Sequence, residues 1–232
     1  MDHLVRFAAE LVATLCVCAV AILAAAGTAA GDAGRIVAAL AYGLAVTGAM
    51  QACGGPGPVH ANPAVTLAVF ATGRGTLVRA VACIAGQVIG AAIAGLFAMW
   101  LLAGAGTAMG MPAGSFTNID PVRTTVVEGL LTFLWAAAFL GAVYGGRLTA
   151  GVGLPAGLAV GLTVAAGALA GMAFTGGAMN PARALASAVA ALDVSTLWMY
   201  AAGPLAGGAA AGLVGRLFLP EERPDPAPVR RA

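Results

Sequence analysis

The tripeptide Asn-Pro-Ala occurs twice, as Asn62-Pro63-Ala64 and Asn180-Pro181-Ala182, and Arg183 follows the second copy. The two asparagines are 118 residues apart (180 − 62), and so are two acidic residues, Glu10 and Glu128 (128 − 10). Asparagine is a preferred N-cap, and proline in a first helical turn removes no needed hydrogen bond. Each tripeptide therefore reads as a helix start, with the positive end of a helix dipole beside it. Such an end supplies no nucleophile, and the rest of the chain shows no catalytic pattern. There is no Gly-x-Ser-x-Gly, no metal-ligand spacing of His and Cys, and no acidic pair at a plausible site. Cys16, Cys18, Cys53 and Cys83 lie in apolar segments and read as small buried hydrophobes. The sequence calls for no metal, no cofactor and no enzymatic reaction.

The elements that must position these residues are membrane segments. Of 232 residues, 61% are hydrophobic and 9% charged, where a soluble domain carries about a quarter charged residues. Six apolar stretches, at about 5–27, 35–53, 79–103, 123–144, 152–171 and 194–218, are long enough to cross a bilayer, which takes about 20 residues. Two more, at about 62–71 and 180–190, are too short, and each opens on Asn-Pro-Ala. The expected fold class is an all-α membrane protein with six transmembrane helices and two half-membrane helices. It forms one domain over 1–219, with repeats at about 5–103 and 123–218. The first apolar run, Leu4 to Gly27, is too long for a cleavable leader, and Asp2 and Glu10 mark its start. A net charge of +2 gives no reason to expect nucleic acid as a partner. With the N-terminus in the cytoplasm, Arg6, Arg74, Arg79, Arg147, Arg216, Arg223, Arg230 and Arg231 lie inside, against Arg35 and Arg123 outside. That is a clear positive-inside bias, with both termini cytoplasmic. The tail from Pro220 carries four prolines and mixed charges, and reads as a disordered cytoplasmic end.

The halves also resemble each other between these markers. Gly43-Leu44-Ala45-Val46 matches Gly157-Leu158-Ala159-Val160 at an offset of 114. Ala85, Gly86, Gly90, Gly95 and Leu96 match Ala202, Gly203, Gly207, Gly212 and Leu213 at an offset of 117. Three spans per half put the second half in the membrane upside down, and inverted repeats place a conduction or binding site at their interface. Inversion aims the two Asn-Pro-Ala helix starts at each other in mid-membrane. The loops leading in, Gly54 to Ala61 and Met172 to Met179, are then irregular backbone at membrane depth. Such backbone is tolerated where it lines a water-filled cavity, so the pattern implies a pore. Glycines four apart, as at Gly86 and Gly90, Gly203 and Gly207, and Gly153, Gly157 and Gly161, let helix backbones touch.

Two Asn-Pro-Ala boxes in inverted halves, the second running into Arg183, with Glu10 and Glu128 at the same interval, resemble the aquaporin family from about residue 5 to residue 218. The resemblance implies a passive channel for water and small uncharged solutes, closed to ions and protons. It implies a homotetramer in a cell membrane, plasma or inner, with the lipid bilayer and neutral solutes as its partners. Asn62 and Asn180 would donate side-chain amides to a passing oxygen, and the facing dipoles would oppose cations. Carbonyls of Thr175, Gly176 and Gly177 would line the outer half of the pore, and His60 with neighbouring carbonyls the inner half. Glu10 and Glu128 would buttress the pore loops. The outer filter would fall at Tyr42, Ala168, Gly177 and Arg183, which stand 20 residues before Asn62, 12 and three before Asn180, and three after it.

Strict water channels of the family place His where this chain has Ala168, and glycerol channels usually have two aromatics in the filter and Asp after the Arg. Here there is one aromatic, Tyr42, and Ala184 follows Arg183. Ala188 and Tyr200 fit the water type, and Ala201 does not. A filter of one aromatic and small residues is similar to bacterial wide-filter members, for which glycerol or metalloid hydroxides such as arsenous acid are plausible solutes. The alternative is a strictly water-selective channel. The first pore loop, Gly57-Pro58-Val59-His60, departs from the usual Ser-Gly-Ala-His. A secondary transporter also uses inverted repeats and broken helices, but needs an intramembrane carboxylate facing its substrate, and both candidates are accounted for as buttresses.

Overall fold

The computed structural model describes residues 2–28, 31–103, 113–115, 117–145 and 155–220. Eight helices follow in order: α1 (Asp2–Gly27), α2 (Asp32–Cys53), α3 (Pro63–Ala71), α4 (Leu77–Leu101), α5 (Pro121–Tyr144), α6 (Ala156–Gly171), α7 (Pro181–Ala191) and α8 (Leu197–Phe218). Their starts follow local chemistry. Asn62 and Asn180 cap α3 and α7, each accepting from the N–H two residues on at 2.9 Å, with Pro in the first turn. Thr76 caps α4 and Asp120 caps α5 in the same manner. At about 1.5 Å rise per residue, the 9 and 11 residues of α3 and α7 reach roughly half of a bilayer core. Five helices are long and apolar enough to cross a membrane: α1, α2, α4, α5 and α8. The remaining expected span, 152–171, is described from Pro155 onward as the 16-residue apolar α6. Arg147, Gly153 and the tail beyond Pro220 lie outside the described residues.

The packing has the symmetry that the sequence repeat requires. Exchanging α1 with α5, α2 with α6, α3 with α7 and α4 with α8 maps the helix contacts onto themselves. The pairs α1·α4 and α5·α8, α1·α2 and α5·α6, α4·α7 and α3·α8, α3·α4 and α7·α8, and α1·α7 and α3·α5 exchange, while α2·α6 and α3·α7 map onto themselves. Backbone contact at glycine underlies the largest of these interfaces. A Cβ on Gly86 or Gly90 would sit 2.4 Å from the carbonyl of Phe7 or Leu11 in α1, and one on Gly203 or Gly207 would strike the carbonyl of Thr125 or Gly129 in α5. Real Cβ atoms do not approach so closely, so these positions admit no side chain.

The same contacts correct one register. Gly43 and Gly161 meet reciprocally, a Cβ on either striking the other's carbonyl at 2.3 or 2.4 Å. They are 118 residues apart (161 − 43), the interval of the asparagines and glutamates. The sequence match of Gly43 with Gly157, at 114, is one helical turn out. Glycines four apart on one helix present the same face, so sequence similarity alone could not choose between them.

The surface is apolar, unlike that of a soluble protein, and a group of polar side chains is enclosed within a largely apolar interior. Leu44, Val126, Trp100 and Leu217 are exposed, whereas Glu10, Asn62, Gln87, Glu128, Thr132 and Asn180 are buried. Buried polar groups are costly unless hydrogen-bonded, and satisfying them is what builds the centre of the molecule.

Candidate functional site

The two short helices meet end to end at mid-depth, and their caps are cross-linked. Asn62 Nδ2 donates to the carbonyl of Met179 at 2.9 Å, and Asn180 Nδ2 donates to the carbonyl of Ala61 at 2.9 Å. An amide carries two N–H donors, so each cross-link leaves a second N–H. Ala61 and Met179 both hold left-handed backbone, at φ 48° and 53°. Such a conformation costs an L-residue about 1–3 kcal/mol and persists only where its surroundings enforce it.

The two buried glutamates do the enforcing. Glu10 accepts from the backbone N–H of His60 and of Ala61, both at 2.8 Å, and from Gln87 Nε2 at 2.8 Å. Glu128 accepts from the N–H of Ala178 at 3.0 Å and of Met179 at 2.5 Å, and from Thr175 Oγ1 at 2.6 Å. His60 and Ala178, like Ala61 and Met179, are 118 residues apart. Each carboxylate thus binds the two amides that precede an Asn-Pro-Ala box and fixes the turn that aims the helix.

On one side of the asparagine pair the structure brings together Tyr42, Ala168, Gly177 and Arg183. The Arg183 guanidinium carbon lies 4.8 Å from the Tyr42 ring centroid, a cation–π contact. Gly177, at φ +55°, lies so close to α6 that an added Cβ would be 3.1 Å from the Ala168 Cα. Tyr42 with Arg183, and Gly177 with Ala168, thus form two contacts of the candidate filter wall, and the second pair offers nothing larger than a methyl group. Arg183 is 5% exposed, and its Nε and Nη1 have no hydrogen-bond partner among the described residues.

Two expected members of this wall are differently employed. The Tyr42 hydroxyl donates to the Ala178 carbonyl at 2.9 Å, so Tyr42 presents its ring with its donor already used. The Thr175 carbonyl accepts from the Tyr200 hydroxyl at 2.6 Å, and that hydroxyl also meets Thr117 Oγ1 at 2.9 Å. Thr175 is held by its side chain to Glu128 and by its carbonyl to Tyr200, which leaves Gly176 and Gly177, both at positive φ, to turn the loop.

On the other side of the pair, His60 is fixed three ways. Its N–H binds Glu10, its Nδ1 pairs with Thr66 Oγ1 at 2.9 Å, and its ring meets Phe139 edge to face. Its Nε2 is buried without a partner among the described residues. The atypical loop before it is braced by Arg6, whose Nη1 donates to the Pro58 carbonyl at 3.0 Å. Cys83 packs here too: ligand atoms of Glu10, His60 and Cys83 lie within 4.8 Å of one another. No spacing pattern announces this group, because its members stand at positions 10, 60 and 83. Both Glu10 oxygens already accept N–H bonds, so the group serves as a loop anchor.

Residues 1–215 match the family model described as major intrinsic protein. The chain belongs to that family. Among curated family members it is similar to aquaporin-5 of Sus scrofa, 38% identical over 178 residues, which are 76% of this chain and 66% of that one, about two thirds of its length. It is also similar to a probable TIP-type aquaporin of Medicago truncatula, 36% identical over 80% of this chain and 72% of the relative, and to the lens fiber major intrinsic protein of Lithobates pipiens, 35% identical over 80% and 70%. The fold matches the X-ray structure of the aquaglyceroporin from Plasmodium falciparum with a TM-score of 0.75 at 18% identity, covering 93% of this chain and 95% of that one. This major intrinsic protein is accordingly a multi-pass membrane channel for water or small solutes, and not an enzyme.

Residues the sequence did not single out here are Arg6, Thr66, Gln87, Thr117 and Trp135. Tyr200 was noted only as a subtype marker. Thr66 lies one turn into α3, while the others meet the site from distant parts of the chain, where no local spacing signals them.

Proposed function

We propose that this channel passes water and small uncharged solutes, with glycerol or arsenous acid as candidates beyond water, and rejects ions and protons at two separate places. The observation that carries this reading is Arg183, a buried guanidinium whose Nε and Nη1 have no protein acceptor. Water or a solute hydroxyl moving past supplies the acceptor, while a cation meets a fixed like charge. The second N–H of Asn62 and of Asn180 serves the passing oxygen at mid-depth, where the two helix ends add positive potential. A solute oxygen that accepts from both asparagines cannot also relay a proton in line.

The side of the filter formed by Ala168 and Gly177 supports a wide filter and a solute larger than water. Stopped-flow measurements on proteoliposomes with water, glycerol and arsenous acid test this directly. Ala168→His is expected to cut flux of the larger solute severalfold more than flux of water, since an imidazole then fills the side facing Tyr42. Equal loss of both, or no flux of either larger solute in the parent, returns the protein to the water-selective class. Linear flux without counterflow separates the channel from a secondary transporter.

The same reading makes the protein a homotetramer with a pore in each 22.5 kDa subunit, and native mass in mild detergent checks it. It also places both termini in the cytoplasm, on the arginine asymmetry. An engineered cysteine at either end should resist impermeant labelling from outside intact cells, and labelling there reverses the topology.

A further inference from the structure

One face of α5 carries a series of contacts that the pore reading leaves unused. Glu128 holds the second pore loop. Seven residues on, Trp135 meets Tyr42 edge to face, with ring centroids 5.9 Å apart. Four residues further, Phe139 meets His60 in the same way at 5.3 Å. Positions i, i+7 and i+11 share one side of a helix. This side therefore runs from the loop buttress, past the outer filter, to the inner half of the pore.

Trp135 is fully buried, yet its indole Nε1 has no hydrogen-bond partner among the described residues. The indole nitrogen is a donor only, and buried tryptophans usually find an acceptor. The other two tryptophans, Trp100 and Trp198, are 71% and 55% exposed on the outer surface. This large ring touches a candidate filter residue and keeps an uncommitted donor.

We infer that Trp135 lines the pore between the Tyr42 and Arg183 level and the His60 level, sets its width there, and donates its indole N–H to the permeating molecule. Trp135 is thus a specificity-determining residue, and the inference rests on the channel reading above. It divides the labour of selection: Arg183 acts on charge at a wide entrance, and Trp135 acts on size one step further in. Barriers in series add, so a solute that clears the Ala168 side still meets the indole.

The test compares Trp135→Leu and Trp135→Phe with the parent in proteoliposomes, read as the ratio of glycerol to water permeability. Trp135→Leu is expected to raise that ratio severalfold. Trp135→Phe keeps a ring but loses the donor, and is expected to stay near the parent ratio with slower water flux. Adding Ala168→His to Trp135→Leu should bring the ratio down again, because the outer barrier then limits. A parent-like ratio in Trp135→Leu, while Ala168→His alone shifts it, overturns the inference and leaves the channel reading standing. If Arg183→Val and Ala168→His also change nothing, the channel reading falls with it. Should Trp135→Leu not fold, hydrogen exchange decides. The Trp135 indole N–H, assigned by its loss in Trp135→Phe, exchanges rapidly with D2O if it faces the pore. Protection over hours, as for a core donor, overturns the inference.

Discussion

Replacing Arg183 by valine is expected to open the channel to cations and protons while leaving water permeability at least as high as in the parent. A unit charge about 4 Å away contributes about 4 kcal/mol at an effective dielectric constant near 20, close to a thousand-fold in cation occupancy. The paired helix ends at Asn62 and Asn180 form a second barrier in series, so the measured leak should rise less, by about ten- to a hundred-fold. Valine is smaller than arginine and narrows nothing. Thermal stability should fall by little more than the cation–π contact with Tyr42, because Nε and Nη1 of Arg183 have no acceptors among the described residues to lose. Proton leak is read from pH-dye-loaded proteoliposomes beside stopped-flow water permeability. Unchanged leak with unchanged solute selectivity would remove Arg183 from the filter.

Glu128→Ala should have the largest effect on stability. It strands three buried donors at once: Thr175 Oγ1 and the backbone N–H groups of Ala178 and Met179. A buried donor left unsatisfied costs about 1–3 kcal/mol, so the expected loss is about 3–9 kcal/mol. Without the carboxylate, the left-handed turn at Met179 keeps only the Asn62 bond to its carbonyl, and Asn180 loses its aim. Flux should collapse together with Tm in detergent. Glu10→Ala removes the acceptor of His60, Ala61 and Gln87, and by the internal symmetry should cost a similar amount. A Glu128→Ala protein with parental Tm and flux would show that the loop is held by other means.

Much of this architecture could be read from residue spacing, and the parts that could not share a cause. Helix starts at Asn62 and Asn180 are local events, written in three consecutive residues. The pairing of Glu10 with the first loop and Glu128 with the second follows from a repeat, which is a long-range pattern but a periodic one. By contrast, Tyr42 reaching Ala178, Tyr200 reaching Thr175 and Trp135 reaching Tyr42 are single side-chain contacts across 136, 25 and 93 residues (135 − 42). They have no counterpart at the repeat interval and no period. The filter was therefore legible as a set of residues but not as a set of free and committed atoms. Sequence supplied the tyrosine, and only the fold shows that its hydroxyl is already spent. The one-turn error at Gly157 has a different origin, in a helix whose glycines repeat at its own pitch.

The self-mapping of the helix contacts bears on how the channel comes into being. Each half-membrane helix packs on the last long helix of the opposite half, α3 on α8 and α7 on α4. Each asparagine amide is tied to a carbonyl from the opposite loop. No conduit exists within either half, because its two walls belong to different halves. During biosynthesis the first four helices can enter the bilayer without forming a hole in it. Conductance then requires both halves to be docked on each other.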